Sequence, residues 1–110
     1  MRQNDIIPRV YDLILWTIRK IEKMPRDQKF VLGDRLEKSM LDTLDLLIEA
    51  NFTRERQDLL ARANMRIEKT RYLFRMLSDL RYVSLDQYEY FSGKITEIGR
   101  MVGGWKKAQA

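Results

Sequence analysis

Apolar residues recur along this chain at three- and four-residue intervals in four separate stretches, and nowhere in the strict alternation that marks a half-buried strand. In the first stretch Ile7, Val10, Tyr11, Ile14, Ile18 and Ile21 fall on one stripe, which predicts a helix over residues 7–24. Pro8 suits its first turn, where the missing N–H is no loss, and Pro25 closes it, because the residue before a proline is pushed out of the α region. The second stretch predicts a helix over 27–51 with Asp27 as N-cap and Leu36, Met40, Leu44 and Leu47 as the inner row. Gly33 lies on that inner side. A mid-helix glycine costs about 1 kcal/mol against alanine, so its place predicts a close helix approach. Asp34, Arg35, Lys38, Asp42, Asp45 and Glu49 share the outer face, with Asp34 and Lys38 in the favourable i,i+4 order. A third helix, over 54–81 with Thr53 as its cap, carries Leu59, Ala63, Ile67, Thr70, Phe74 and Leu77 on one seam. A fourth, over 85–103, opens on the capping box Ser84-Leu85-Asp86-Gln87 and lines up Tyr88, Phe91, Ile95, Ile98 and Val102, with Gly103-Gly104 as its stop. Short connections make successive helices antiparallel, so the expected fold is all-α, one up-down-up-down four-helix bundle spanning residues 1–110.

Two apolar groups break the expectation of a polar exterior. Leu13 and Trp16 share a face with Arg9 and Lys20 opposite the inner stripe of the first helix. Leu73, Met76 and Leu80 fall about 90° from the seam of the third. Together they predict a subunit interface in a homo-oligomer. A wider core than these stripes would account for them too, and Trp16 beside Arg9 and Lys20 would also suit stacking on a nucleobase.

Composition removes most chemistry. The 110 residues contain no cysteine and no histidine. Disulfides, thiolate nucleophiles, cysteine zinc sites, the usual general base and histidine-ligated di-iron centres are therefore excluded. Ser39, Ser78, Ser84 and Ser92 lack an activating histidine. The acidic row Asp42, Asp45 and Glu49 reads as a solvated helix face rather than a magnesium site, and the same holds for Asp86, Glu89 and Glu97. The glycines at 93, 99, 103 and 104 do not form a phosphate loop. We expect no enzyme, no catalytic residue, no metal and no cofactor. The lack of an eighteen-residue apolar run and of a leader ahead of a cleavage site points away from membranes and toward the cytoplasm.

Charge adds a positive indication. Net charge is +5 and the pI near 9.6. Residues 1–53 hold nine basic and nine acidic side chains, and 54–110 hold twelve and seven, so the second half carries the whole surplus. On the third helix Arg62, Arg66 and Lys69 flank one edge of the apolar seam, and Arg71 and Arg75 the other. Such rows grip a phosphate backbone, with low sequence specificity and steep salt dependence, or an acidic protein surface. They also serve as solvated faces whose stems cover the core margin.

Met24-Pro25-Arg26-Asp27-Gln28-Lys29-Phe30-Val31-Leu32-Gly33-Asp34-Arg35 and the ending Glu97-Ile98-Gly99-Arg100-Met101-Val102-Gly103-Gly104-Trp105 resemble the accessory variability determinant (Avd) proteins of diversity-generating retroelements. Leu47-Ile48-Glu49-Ala50, Tyr72-Leu73-Phe74-Arg75-Met76-Leu77 and Leu85-Asp86-Gln87-Tyr88 extend the resemblance in order along nearly the whole chain. The related four-helix proteins of 23S ribosomal RNA intervening sequences share the bundle. They carry an alanine-glutamate-glycine element on helix two that is missing here, and the closing Gly-Gly-Trp favours Avd. The resemblance implies a barrel-like homopentamer with a positive surface that binds RNA, DNA and the retroelement's reverse transcriptase. In that complex a template-repeat RNA is copied into mutagenised cDNA that replaces a variable region. Arg71 and Arg75 occupy family-like basic positions, and Arg35 belongs to the Gly-Asp-Arg element. Arg62, Arg66 and Lys69 come from the helical projection alone. The competing expectation is a structural bundle docking an acidic protein, without a retroelement role.

Overall fold

A computed structural model describes residues 5–109. Four helical rods account for nearly all of them, with no strand among the described residues. Helix α1 is Ile6–Glu22. Helix α2 runs through residues 26–51 in three parts: Arg26–Gln28 opens it, Lys29–Gly33 forms a π-helical segment, and Asp34–Asn51 is regular α-helix. Helix α3 is Gln57–Asp79 and α4 is Leu85–Ala108.

Cross-helix pairs establish the topology. Arg9 pairs with Glu97, and about two turns further along α1 the Trp16 ring lies 4.7 Å from that of Tyr90, so α1 and α4 run antiparallel. The Gln57 side-chain amide at the start of α3 donates to the Lys106 carbonyl at the end of α4 (3.0 Å), and the Ser39 and Thr70 hydroxyls meet at 2.7 Å between α2 and α3. Helices adjacent in sequence are thus adjacent in space, α4 returns to α1, and the four-helix bundle measures 43 × 22 × 19 Å.

The core is wider than the sequence stripes. Its fully buried side chains include Ile6, Leu36, Leu47, Leu60, Ile67, Phe74, Leu77, Phe91, Ile98 and Val102. On α1 the buried face is Ile6, Val10, Leu13, Ile14, Thr17 and Ile21, whereas Tyr11 is exposed. The expectation that Leu13 and Leu73 point outward is corrected: they are 3% and 8% exposed within this one chain. Each helix has two neighbours here and needs a broader apolar stripe than a single seam. The buried hydroxyls remain satisfied within the chain, Thr17 donating to Leu13 O, Thr43 to Ser39 O and Thr70 to Arg66 O.

Gly33 has the role its position suggested. A Cβ there would stand 2.8 Å from Ile21 Cγ2, so the glycine lets α2 approach α1. The π segment that it ends was not legible in the pattern, and Phe30 and Val31 on that segment face solvent.

Several boundaries shift for identifiable reasons. Asp27 is a first-turn residue of α2, and Pro25 is the N-cap. Thr53 does not cap α3: its hydroxyl donates back to Glu49 O, finishing α2, and Arg56 Nε donates to Thr53 O across the connection. Arg54 and Arg56 consequently lie before α3, which starts at Gln57. Gly103-Gly104 does not stop α4. Trp105 is buried with Arg56 over its ring at 5.5 Å, and the Gln57 bond holds the next turn, so tertiary packing overrides glycine's poor helix propensity through Ala108. Lys38 pairs forward with Asp42 (3.0 Å) rather than back with Asp34. The Ser84–Gln87 capping box forms reciprocally, as the spacing indicated.

Helix α3 ends in a Schellman motif, with Tyr82 N–H donating to Leu77 O and Arg81 N–H to Ser78 O. The residue that turns the chain is Arg81, at φ 62°. A side chain in the left-handed region costs roughly 1–2 kcal/mol. Arg81→Gly is therefore expected to stabilise the fold by about 1 kcal/mol in a urea melt. A second expected result concerns Glu37. Burial, then the neighbouring Asp34 and Glu22 carboxylates, raise its pKa. Glu37 holds its proton more tightly folded than unfolded, so its favourable contribution is present at acid pH and is lost as pH rises through the raised value. Glu37→Gln should melt above the wild type near neutral pH, and the difference should close once the pH falls below the ordinary carboxylate range.

Candidate nucleic-acid interface

The charged side chains of α3 divide between two grooves. The first lies between α2 and α3, about 590 Å3 in volume. Val31, Leu32, Leu73 and Met76 supply its apolar surface, and Arg35, Lys38, Arg66 and Lys69 its cations. Asp42 is the one carboxylate in its lining, so four positive groups face one negative one, a surplus of three. Lys38 and Asp42 largely cancel as an ion pair. Arg35, Arg66 and Lys69 form no ion pair within 4 Å among the described residues. Toward the other end of the bundle the same two helices make a further recess where Arg62, Arg66 and Lys69 meet Asp42 and Asp45. There the two carboxylates offset much of the positive charge.

The second groove lies between α3 and α4. Arg71, Arg75, Tyr72 and Tyr88 line it together with Glu68. Its cations are already partnered on their own helix: Arg71 by Glu68 at 3.5 Å and Arg75 by Asp79 at 3.8 Å. Arg62 is likewise held by Asp58 at 3.9 Å. Exposed pairs of this kind are weak, commonly below about 1 kcal/mol, and open readily when a stronger anion arrives.

The structure therefore brings together Arg35, Arg66 and Lys69 from the residues singled out by sequence, and separates Arg71 and Arg75 onto the far side of α3. Lys38 belongs with the first group although the sequence reading left it on a solvated face. It lies three residues after Arg35 and so shares its side of the helix. The lateral packing of α2 against α3, which no projection of α2 alone contains, turns that side toward Arg66 and Lys69.

The apolar residues expected at a subunit interface also divide. Leu13 and Leu73 belong to the core. Trp16 is half-buried, packed on Phe74, Tyr90 and Phe91, with Lys20 Nζ 5.5 Å from its ring centroid. Those contacts occupy the ring, and Arg9 is engaged by Glu97, so the arrangement does not offer Trp16 to a nucleobase. Met76 and Leu80 are 46% and 51% exposed, one turn apart on α3. Val31 shares the groove of Met76 and is exposed too.

The two motif segments noted in the sequence now have structural content. Residues 24–35 contain the buried Met24, the capping Pro25, the π segment, the glycine contact with Ile21, and Arg35 at the groove. Residues 97–105 supply the Glu97 ion pair and the buried Ile98, Val102 and Trp105. Among the described residues no group of three acidic side chains is placed to hold a metal ion, and no helix is long and apolar enough to cross a membrane. Compared with known families, the chain matches the model described as bAvd-like over residues 6–109. No curated protein matches it in sequence.

Proposed function

The chain belongs to the bAvd-like family, and from that premise we propose that it is a non-enzymatic accessory of a diversity-generating retroelement. In this reading it binds RNA and DNA through their phosphates and holds them beside the element's reverse transcriptase during mutagenic cDNA synthesis. The observation that carries the nucleic-acid part is the α2/α3 groove, where Arg35, Arg66 and Lys69 stand close together without an ion-pair partner among the described residues. Cations left uncompensated at one place favour a polyanion, because binding exchanges condensed counterions for fixed charge. An acidic protein surface is the second reading, favoured only by the apolar lining of the same groove.

Co-expression with the reverse transcriptase of a diversity-generating retroelement tests the proposal. The expected result is one complex on size exclusion, with cDNA synthesis from the template-repeat RNA depending on the chain. Independent elution of the two proteins, with synthesis unaffected by omitting the chain, would contradict it.

A homo-oligomer, pentameric as in the family that the sequence resembles, forms part of the proposal. Met76, the last α3 residue along the groove, and Leu80, one turn beyond it, are the surface we assign to it, since Leu13 and Leu73 are committed to the core and Val31 stays with the groove. Met76→Glu combined with Leu80→Glu is expected to reduce the sedimenting species to a monomer with its helical circular dichroism intact. An unchanged sedimentation coefficient would remove this face from the assembly.

A further inference from the structure

Tyr72 is the most exposed tyrosine among the described residues, at 61%, and lies on α3 between Arg71 and Arg75. Its side chain lines both grooves: Arg35, Lys38, Arg66 and Lys69 lie in the one, Arg71 and Arg75 in the other. Along α3 its neighbours at i−3 and i+3 are Lys69 and Arg75. Among the described residues Tyr72 has no aromatic partner, no cation over its face and no hydrogen bond from its hydroxyl. Tyr90 and Tyr88 differ, Tyr90 resting on Trp16 with Lys94 near its face and Tyr88 stacking on Phe74; Tyr11 is exposed and without such partners too, but lines neither basic groove.

An aromatic ring left open and ringed by cations has a specific chemical complement. The cations require phosphates, while the ring gains only from a flat apolar face presented within reach of those phosphates. A nucleobase attached to its own backbone supplies both. In a duplex the base faces are covered by their neighbours, whereas in a single strand they are free. Resting on the nucleic-acid reading above, we infer that Tyr72 is a base-stacking platform between the two basic grooves and makes single-stranded nucleic acid the preferred ligand of this surface. An acidic protein segment would complement the cations but gives no reason for an unengaged ring between them.

Fluorescence anisotropy with a labelled unstructured oligoribonucleotide, a duplex of equal length and inorganic polyphosphate separates the possibilities. Tyr72→Ala is expected to weaken single-strand binding by roughly fivefold to a hundredfold, with Tyr72→Phe close to wild type. Duplex and polyphosphate affinities should be unchanged in both variants. Tyr11→Ala removes a second exposed tyrosine, on α1, which packs mainly on α2 and α4, and should leave all three ligands unaffected. Full single-strand affinity in Tyr72→Ala overturns the inference, as does an equal loss on all three ligands or an altered sedimentation coefficient. Loss confined to reverse-transcriptase binding overturns it in favour of protein docking. If the wild type binds none of the three ligands, the nucleic-acid reading falls with it; if the wild type binds and only Tyr72→Ala is silent, that reading stands and the platform alone is lost.

Discussion

Replacing Arg35, Arg66 and Lys69 together with alanine is expected to weaken binding to RNA and DNA by roughly tenfold to a hundredfold at about 0.15 M salt, uniformly across sequences. Each of these side chains brings to one groove a charge with no ion-pair partner within 4 Å among the described residues, so three phosphate contacts disappear at once. Their removal should change stability little. Arg35 and Lys69 are exposed, and only Arg66, half-buried, covers apolar surface with its stem. The matching triple replacement of Arg62, Arg71 and Arg75 lowers net charge equally but removes cations that Asp58, Glu68 and Asp79 already partner. Its effect should be smaller. Electrophoretic mobility shift of the two variants side by side checks the ranking, and a reversed order would move the phosphate contacts to the ion-paired arginines Arg62, Arg71 and Arg75.

The largest expected loss of stability is at Phe74. Its ring stacks face to face on Phe91, with centroids 3.9 Å apart and planes 4° from parallel, and lies 6.3 Å from Trp16 and 6.4 Å from Tyr88. One side chain on α3 thereby joins α1 and α4. Truncation of a buried phenylalanine costs about 3–5 kcal/mol, because the transfer term is lost and the neighbours only partly collapse into the space. Against the roughly 5–15 kcal/mol that holds a small domain together, that is a large share. Phe74→Ala should lower Tm by at least about 10 °C, and Phe74→Leu should recover much of the difference. A melt within a few degrees of wild type would mean that the aromatic cluster is not the keystone of the core.

What could be read from the sequence followed from local physics. Helix number, order and antiparallel topology came from periodicity and short connections, and the Ser84 capping box and the Gly33 approach came from residue chemistry. Four misreadings share a cause. Leu13 and Leu73 looked external because a single stripe underestimates a helix with two neighbours. Gly103-Gly104 looked like a stop because the burial of Trp105, which carries the helix onward, is a tertiary fact. Thr53 looked like a cap because its hydroxyl could serve either helix, and it serves α2. Arg81 looked helical because nothing local marks a non-glycine residue for positive φ. The π segment left no trace in the apolar pattern either.

At the candidate site, the residue types were legible and their grouping was not. Projection placed Arg66 and Lys69 on one edge of α3 and Arg71 with Arg75 on the other, and that division holds in three dimensions. Projection could not add Arg35 and Lys38 from α2, which depends on how two helices face each other. It also could not separate paired from unpaired cations, since Asp58, Glu68 and Asp79 lie within one turn of several arginines. Tyr72 was visible only as part of a family-like stretch; its position between two grooves emerged when the bundle was assembled.

The central claim is that this surface binds nucleic acid through its phosphates. Titrating salt against the affinity of the wild-type chain for a structured RNA tests it most directly. A plot of log affinity against log salt should fall steeply, with a slope of about −2 to −3 or beyond from three or more phosphate contacts, and the Arg35, Arg66 and Lys69 replacement should flatten it. Affinity that stays constant between low and moderate salt would contradict the account.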